Sequence, residues 1–539
     1  MDAVSGNLVD VRGGCVYPAT VEIEAGRIAR IRREHGKFDN YLLPGFIDAH
    51  IHIESSMLTP SEFARIATVH GTVATVSDPH EIANVLGEKG VEFMISDGKR
   101  TNFKFYFGAP SCVPATTFET NGATLGAKEV TSLLRKKEIL YLSEVMNYPG
   151  VIARDSEVMA KITAAKTLRK RVDGHAPGVR GAELKKYAAA GITTDHESFA
   201  YDEALDKLGN GMKIQIREGS AAKNFEALYP LIEKYPKMCM FCSDDRHPDD
   251  LLEGHINLLV KRAVAKGVGL FKILRCACVN PVEHYGLDVG LLREGDSADF
   301  IVVDNLRDFN VLRTYVRGQI VAERGKPLLR RVKSSKPNKF RARKKSKSEL
   351  AVHNTLNVMA VTDGQLVDKA MVVSIRELVR HEIKIDPKTD VLKIVVVNRY
   401  ADSRPAVAFA KNFGLKKGAI ASSVAHDSHN IIAVGVNDEL ICKAINCLIR
   451  HRGGICAVDE RSEHVLPLPI AGVMSDGDFA SVAEKYSELD GIAKSYGSKL
   501  RAPFMTLSFM ALPVIPQLKL TDKGLFDVTN FRFVNLFNM

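Results

Sequence analysis

Two histidines separated by one residue follow a buried-strand pattern near the N-terminus, where residues 42–52 read LLPGFIDAHIH. Alternate side chains of an extended strand leave the same face, so His50 and His52 project into one space and can bind one metal ion. A strand with two structural histidines is the competing interpretation of an isolated His-x-His pair. The residues farther along the chain decide between the two.

Four further apolar strand patterns lead into a side chain that can bind a metal. They read ILYLSE at 139–144, VDGHAPG at 172–178, GITTDHE at 191–197 and MCMFCSDD at 238–245. A His-x-His pair followed in order by a carboxylate, two histidines and an aspartate, each at a strand end, matches a two-metal hydrolytic site. The predicted metal ligands are His50, His52, Glu144, His175, His196 and Asp244.

The residue types also predict roles. Two divalent ions about 3.5–4 Å apart share a bridging carboxylate, for which Glu144 is the candidate. Asp244 is predicted to bind one ion and to act as general base and then general acid, with Asp245 as the less favoured alternative. Asp78, after the apolar strand at 71–76, is a predicted catalytic group, although a turn cap is the structural alternative. The role of His80 stays open.

The order of elements predicts the frame that holds these residues. From about 44 to 285, short apolar strands alternate with helical stretches, which is typical of a (β/α)8 TIM barrel. Alternating β patterns at 1–43 and 286–329 predict a small split β-sandwich into which the barrel is inserted. Residues 330–348 are a predicted basic linker, and 349–539 a separate C-terminal domain of α/β or α+β type. The overall fold class is α/β.

Composition narrows the functional class. The chain has 539 residues, 45% of them hydrophobic, and a net charge of +10. Ten lysines and arginines lie in 330–348 without an acid, so the rest of the chain is near neutral, and a solvated linker or surface loop is favoured over a nucleic-acid tail. No stretch approaches the roughly 18–20 apolar residues of a membrane helix, and the start does not read as a signal peptide. Nine cysteines predict reduced thiols, so we expect a soluble cytoplasmic protein.

Several longer sequence motifs resemble those of a known enzyme family. The chain resembles the adenine deaminase family of the amidohydrolase superfamily over nearly its whole length. The motifs are DAHIHIESSM at 48–57, SDPHEIANV at 77–85, SEVMNYPG at 143–150, DGHAPG at 173–178, TDHESF at 194–199, SDDRHP at 243–248, SVAHDSHN at 423–430 and GGICAVD at 453–459.

The resemblance implies hydrolysis of adenine to hypoxanthine and ammonia, a step of purine salvage, by attack of a metal-activated hydroxide at C6. It implies two divalent ions, Mn²⁺ first, with Fe²⁺ or Zn²⁺ as alternatives, and Glu144 at the place where many relatives carry a carboxylated lysine. Glu197 and Ser198 follow His196 directly and are candidates to read the purine edge. The expected partner is a small-molecule purine, with no nucleic acid or membrane, and the protein is expected to be a homo-oligomer, a dimer or tetramer.

Other interpretations are consistent with part of this set of residues and motifs. Another binuclear amidohydrolase, acting on a different aminopurine or a cyclic amide, would have the same ligands. A zinc deaminase of a different fold is disfavoured, because Cys239 and Cys242 lack the preceding proline and are predicted core residues. The polar cluster from His426 to His429 is predicted to line a domain interface or a subunit contact more readily than to take a direct role. Cys456 is predicted to be buried.

Overall fold

The computed structural model describes residues 2–351, 357–363, 369–372, 387–388, 390–515 and 517–534. The chain begins with four strands of one sheet: β1 (Asp2–Asp10), β2 (Cys15–Glu24), β3 (Arg27–Arg33) and β4 (Tyr41–Pro44). β1 pairs with β2 antiparallel and with β4 parallel, so the sheet is mixed.

Eight parallel strands then form a barrel. They are β5 (Phe46–Ile51), β6 (Thr72–Ser77), β7 (Lys104–Ala109), β8 (Ile139–Val145), β9 (Arg171–Gly174), β10 (Thr194–Asp195), β11 (Lys213–Arg217) and β12 (Cys239–Cys242). β5 to β9 pair in sequence order, as do β10 to β12. Backbone hydrogen bonds from Thr193 to Val172 (2.9 Å) and from Asp244 to His50 (2.9 Å) join the two groups and close the barrel. The predicted (β/α)8 barrel is therefore confirmed.

Helices cover the outside of the barrel. They are α1 (Pro60–Val69), α2 (His80–Leu86), α3 (Glu88–Gly98), α4 (Ala127–Arg135), α5 (Tyr148–Ala153), α6 (Ser156–Thr167), α7 (Gly181–Ala189), α8 (Tyr201–Gly209), α9 (Phe225–Leu228), α10 (Pro230–Lys234), α11 (Pro248–Glu253), α12 (Ile256–Ala265), α13 (Leu270–Leu274) and α14 (Asn280–Tyr285). A 3-10 turn at Ile53–Ser56 and a π-helix at Arg275–Val279 complete the set. Because parallel strands are covered on both faces, β6 and β12 are entirely buried, and Cys239 and Cys242 are core residues as predicted.

After the barrel the chain returns to the first sheet. Its last strands are β13 (Phe300–Val303), β14 (Val311–Val316), β15 (Gln319–Glu323) and β16 (Lys326–Pro327). β13 pairs antiparallel with β4, so the two segments of the predicted split sandwich combine in one sheet of eight strands. The barrel is inserted between these two segments, as the β patterns predicted.

The C-terminal region holds a second large sheet and helices packed against it. Its strands are β17 (Asn357–Ala360), β18 (Lys369–Val372), β19 (Val391–Val397), β20 (Ala406–Lys411), β21 (Ala419–Ser422), β22 (Ile431–Gly435), β23 (Gly454–Val458), β24 (Glu463–Pro467), β25 (Leu518–Thr521), β26 (Gly524–Asp527) and β27 (Arg532–Phe533). Its helices are α15 (Asp438–His451), α16 (Phe479–Ser495) and α17 (Pro503–Phe509). Strands β17 to β24 form one largely antiparallel sheet, which makes the region α+β, and Cys456 is buried in β23.

The basic segment at 330–348 contacts the C-terminal domain. The backbone N–H of Arg341 donates to the Arg399 carbonyl (2.7 Å), and the buried Lys345 ammonium lies 2.9 Å from Asp402. Lys336 pairs with Asp476 at 2.5 Å. Part of the positive charge is thus paired with carboxylates of the C-terminal domain. Among the helices of the described residues, none is both long and apolar enough to cross a bilayer.

A buried ion pair ties α8 to the strand end that carries His196. Lys207 Nζ lies 2.8 Å from Asp195 Oδ2 and 2.9 Å from Glu203 Oε1, and the Lys207 and Asp195 side chains are fully buried. Burial alone would raise the pKa of Asp195, but the Lys207 ammonium holds it below its ordinary value.

We predict that Lys207→Met destabilises the protein by about 3–5 kcal/mol, because it leaves a buried carboxylate without its counter-charge. Urea unfolding followed by circular dichroism measures the effect. Arg180→Met removes an exposed pair with Asp202 and Asp206 and is the control, which should leave the unfolding midpoint unchanged. Equal midpoints for both variants would contradict the prediction.

Candidate active site

The six predicted metal ligands meet at one end of the barrel. His50 lies in β5 and Glu144 in β8, while the other four ligands lie at or just beyond the ends of β5, β9, β10 and β12. All six side chains are buried. They gather at the C-terminal ends of the strands, where barrel enzymes place their catalytic groups.

Glu144 lies at the centre of this cluster. Its Oε1 is 3.3 Å from His52 Nε2, whereas its Oε2 is 3.1 Å from His196 Nε2 and 2.8 Å from His175 Nδ1. The two oxygens of one carboxylate therefore face two different groups of histidines. This is the arrangement that a bridging ligand requires.

Ring nitrogens of His50 and His52 converge on one oxygen of Asp244. Asp244 Oδ1 is 3.4 Å from His50 Nε2 and 3.2 Å from His52 Nε2, and these two ring nitrogens are 3.2 Å apart. His52 Nδ1 lies 3.1 Å from the Asp78 carbonyl, which only accepts, so Nδ1 carries the proton and Nε2 presents a lone pair. Lone pairs that converge on carboxylate oxygens at this distance suit a divalent cation.

Distances within the cluster match that conclusion. The ligand atoms of His50, His52 and Asp244 lie within 4.8 Å of one another, as do those of His50, Glu144 and His196. Imidazole and carboxylate together fit Mn²⁺, Fe²⁺ and Zn²⁺, so the donor set alone does not single out one of them.

The geometry favours Asp244 over Asp245 as the group that faces the cluster. Asp244 has a φ of 55°, a left-handed backbone conformation that non-glycine residues seldom adopt and that is frequent at functional sites. Asp245 instead accepts a hydrogen bond from Ser55 Oγ at 2.6 Å. Only the first of the two aspartates contacts His50 and His52.

Asp78 contacts two histidines, His52 through its carbonyl and His80 through its carboxylate. Its Oδ1 accepts from Ser143 Oγ at 2.7 Å, its Oδ2 lies 3.0 Å from His80 Nδ1, and its carbonyl faces His52. The same His80 Nδ1 is 3.5 Å from Glu144 Oε1. The contacts of the Asp78 carboxylate thus go to the Ser143 hydroxyl and to the ring of His80, the first residue of α2.

Arg217, which the sequence reasoning did not single out, is part of the site. It ends β11, its Nη1 is 2.6 Å from Asp244 Oδ2, and its guanidinium contacts both oxygens of Glu197. Burial alone would lower the pKa of Arg217, but Glu197 and Asp244 raise it above its ordinary value. The permanent positive charge fixes the orientation of both carboxylates.

We predict that Arg217→Gln lowers kcat by about 10- to 100-fold, because Asp244 loses the donor that orients it. Steady-state kinetics with metal analysis of the purified variant measure this. Arg313→Gln, which removes an exposed pair with Glu323 on the first sheet, is the matched control. Wild-type kcat in Arg217→Gln with a full metal complement would show that the orientation of Asp244 does not depend on Arg217.

The two predicted substrate contacts have different surroundings. Glu197 lines the cavity beside the ligand cluster, where its Oε1 is 3.6 Å from both His175 and His196. The Ser198 hydroxyl instead donates to Asp195 at 2.8 Å, and Ser198 is not among the lining residues. The structure thus gives Ser198 a supporting position under the His196 loop, since Asp195 already engages its hydroxyl.

The C-terminal domain closes the cavity from the other side. His426 and Asp427 line it together with Phe509, Leu512 and Ile515. His426 Nδ1 lies 2.5 Å from Glu81 Oε1, which belongs to α2 of the barrel. The His426 to His429 loop therefore lines the domain interface, as predicted, and also reaches the cavity.

Comparisons with known proteins agree with this architecture. The model of the amidohydrolase family matches residues 41–321, and that of the adenine deaminase C-terminal domain matches 365–532. An adenine deaminase of Sulfurovum sp. is 59% identical over 99% of this chain and 99% of its own length. The chain belongs to the adenine deaminase family. Adenine deaminases of Salinibacter ruber (99% of each chain) and Methanosarcina mazei (100% of each chain) are 55% and 50% identical to it.

Membership of the adenine deaminase family confirms the resemblance that the motifs carry. The amidohydrolase match spans the barrel and the strands β4, β13 and β14 of the first sheet, so it contains all six predicted ligands. The second match falls on the domain that supplies His426 and Asp427. Both halves of the cavity therefore lie within matched parts of the chain.

Proposed function

We propose that this protein is an adenine deaminase that hydrolyses adenine to hypoxanthine and ammonia at a two-metal centre. The observation that carries the proposal is the Glu144 carboxylate, whose two oxygens face His52 on one side and His175 and His196 on the other. The similarity to adenine deaminases over the full length of the chain supports adenine as the substrate.

The proposed ligands divide into two sets. His50, His52 and Asp244 would hold one ion, His175 and His196 would hold the second, and Glu144 would be shared. Two divalent cations there would make a water nucleophilic near neutral pH by lowering its pKa. We propose Mn²⁺ as the native ion, with Fe²⁺ and Zn²⁺ as alternatives.

The protein residues handle protons and orientation. We propose that Asp244 takes a proton from the attacking water and passes it to the purine ring or to the departing amine. Arg217 holds Asp244 Oδ2, which leaves Oδ1 toward His50 and His52. Asp78 orients His52 and His80, and Glu197 is proposed to read one edge of the purine.

We propose that the cavity binds a flat heteroaromatic base. Met146, Phe509, Leu512 and Ile515 supply apolar surface, and histidines and carboxylates make up much of the remaining lining. Apolar side chains can cover the faces of a purine ring while a few convergent polar groups read its edges.

A substrate panel tests the proposal. Protein reconstituted with Mn²⁺ is assayed for ammonia release on adenine, other 6-aminopurines and cyclic amides. We expect adenine to have the highest kcat/KM, with one ammonia released for each hypoxanthine formed. A folded, fully metallated protein that opens a cyclic amide and leaves adenine unchanged would instead be another binuclear amidohydrolase.

We also propose a cytoplasmic homo-oligomer, a dimer or tetramer. Size-exclusion chromatography with light scattering measures the assembly, and a mass equal to a single chain would contradict it.

A further inference from the structure

One loop of the C-terminal domain inserts into the mouth of the barrel. It runs from His426 to Asn430 between β21 and β22, and each of its residues is at most 3% exposed. Asn430 Nδ2 donates to the Thr120 carbonyl of the barrel at 2.8 Å, and Tyr400 Oη donates to the Ser428 carbonyl at 2.6 Å. The first contact joins the loop to the barrel, and the second holds it within the C-terminal domain.

Two histidines of this loop hold Glu81. His426 Nδ1 is 2.5 Å from Glu81 Oε1, and His429 Nε2 contacts Glu81 Oε2. Phe509 stacks on the His426 ring with 4.6 Å between the ring centroids. Both oxygens of Glu81 therefore face imidazoles of the C-terminal domain, which fixes the direction of the carboxylate.

Asp427, between those histidines, is placed differently. It lines the cavity and is 2% exposed, and its Oδ2 has no hydrogen-bond partner among the described residues. The nearby nitrogens of His80 and His426 are 3.8 and 3.9 Å from Oδ1, beyond hydrogen-bond distance. A buried carboxylate oxygen without a donor is costly unless a ligand supplies one.

A second buried acid, Glu119, lies near Asp427. Glu119 is buried, and neither of its carboxylate oxygens has a hydrogen-bond partner in the described part of the chain. Burial, reinforced by the charge of Asp427, raises the pKa of Glu119 well above its ordinary value. As an acid, Glu119 cannot supply a positive counter-charge to Asp427 in either protonation state.

Most other carboxylates of the cavity already have close partners. Glu197 and Asp244 contact Arg217, Glu144 contacts three ligand histidines, and Asp245 accepts from Ser55. Asp427 is thus the acidic group with an acceptor left for a substrate donor. Carboxylates only accept, so the matching donor on a neutral purine is a ring N–H or an amine.

We propose that Asp427 accepts a hydrogen bond from the imidazole N–H of the purine, so that the C-terminal domain selects free bases over N9-substituted purines. The inference rests on the proposed function, which places C6 beside the metal ligands. The His80 ring lies between Glu144 and Asp427, with contacts of 3.5 and 3.8 Å. The imidazole N–H of adenine lies on the ring remote from the pyrimidine edge, so one base can reach both sides.

Kinetics on adenine and 9-methyladenine test this role. In Asp427→Ala we expect KM for adenine to rise by about 10- to 100-fold, since a hydrogen bond to a charged group is lost, with a smaller change in kcat. The preference for adenine over 9-methyladenine should fall by a similar factor. Asp427→Asn, which keeps one amide oxygen as acceptor, should fall between wild type and Asp427→Ala.

Ser428→Ala is the control for damage to the loop, and should keep the wild-type preference. An unchanged preference for adenine over 9-methyladenine in Asp427→Ala would overturn the proposal. Loss of one bound metal ion per chain in this variant would also overturn it, because Asp427 would then be a metal ligand. Failure of the proposed function is seen separately, as absence of adenine turnover by metallated wild type. If wild type converts adenine and Asp427→Ala keeps the wild-type preference for adenine over 9-methyladenine, only the role of Asp427 is overturned.

Discussion

Replacing Glu144 with glutamine is expected to lower kcat by at least about 10³-fold, because the neutral amide cannot bridge two cations that lower the pKa of a water. The variant should also bind less metal, since Glu144 contacts histidines of both proposed ligand sets. Adenine turnover and metal analysis of the purified variant measure both effects.

Glu138→Gln is the matched control for that substitution. Glu138 immediately precedes β8, but it pairs with Lys99 at the surface. The control should keep wild-type kcat and metal content. If Glu144→Gln bound two ions and retained activity, the carboxylate could not be the shared ligand.

Replacing Asp244 with asparagine is expected to lower kcat by about 10²- to 10⁴-fold, the range in which a positioned general base contributes. The amide of asparagine cannot accept a proton from water, although its oxygen can still approach His50 and His52. Steady-state kinetics at saturating adenine measure the loss.

Asp245→Asn separates the two neighbouring aspartates. Its carboxylate accepts from Ser55 and does not contact the ligand histidines, so its kcat should fall much less than that of Asp244→Asn. A larger loss in Asp245→Asn than in Asp244→Asn would exchange the proposed roles.

The convergence of the six proposed ligands could be predicted because their positions follow from local rules. His50 and His52 are brought together by strand alternation, and Glu144, His175, His196 and Asp244 by their common position at strand ends. Arg217 obeys the same rule, since it ends the strand KIQIR, and attention to charged residues at every strand end would have found it.

The contacts between the barrel and the C-terminal domain could not be predicted from local sequence patterns. Glu81 and His426 are far apart in the chain, and nothing in the local pattern around either indicates that they meet. For Ser198 the local sequence pattern is misleading. Its position next to His196 suggests a contact with the substrate, whereas its hydroxyl donates to the buried Asp195. Lys345 likewise reads as a solvated charge and is buried against Asp402.

Stepwise reconstitution of the apoprotein is the most direct test of a two-metal adenine deaminase. The chelated protein is titrated with Mn²⁺ while the ultraviolet change of adenine conversion and the bound metal per chain are followed together. We predict that activity rises until two ions are bound per chain and is lost again on chelation. Full activity at one ion per chain, or no adenine turnover by folded protein holding two, would contradict the proposed centre.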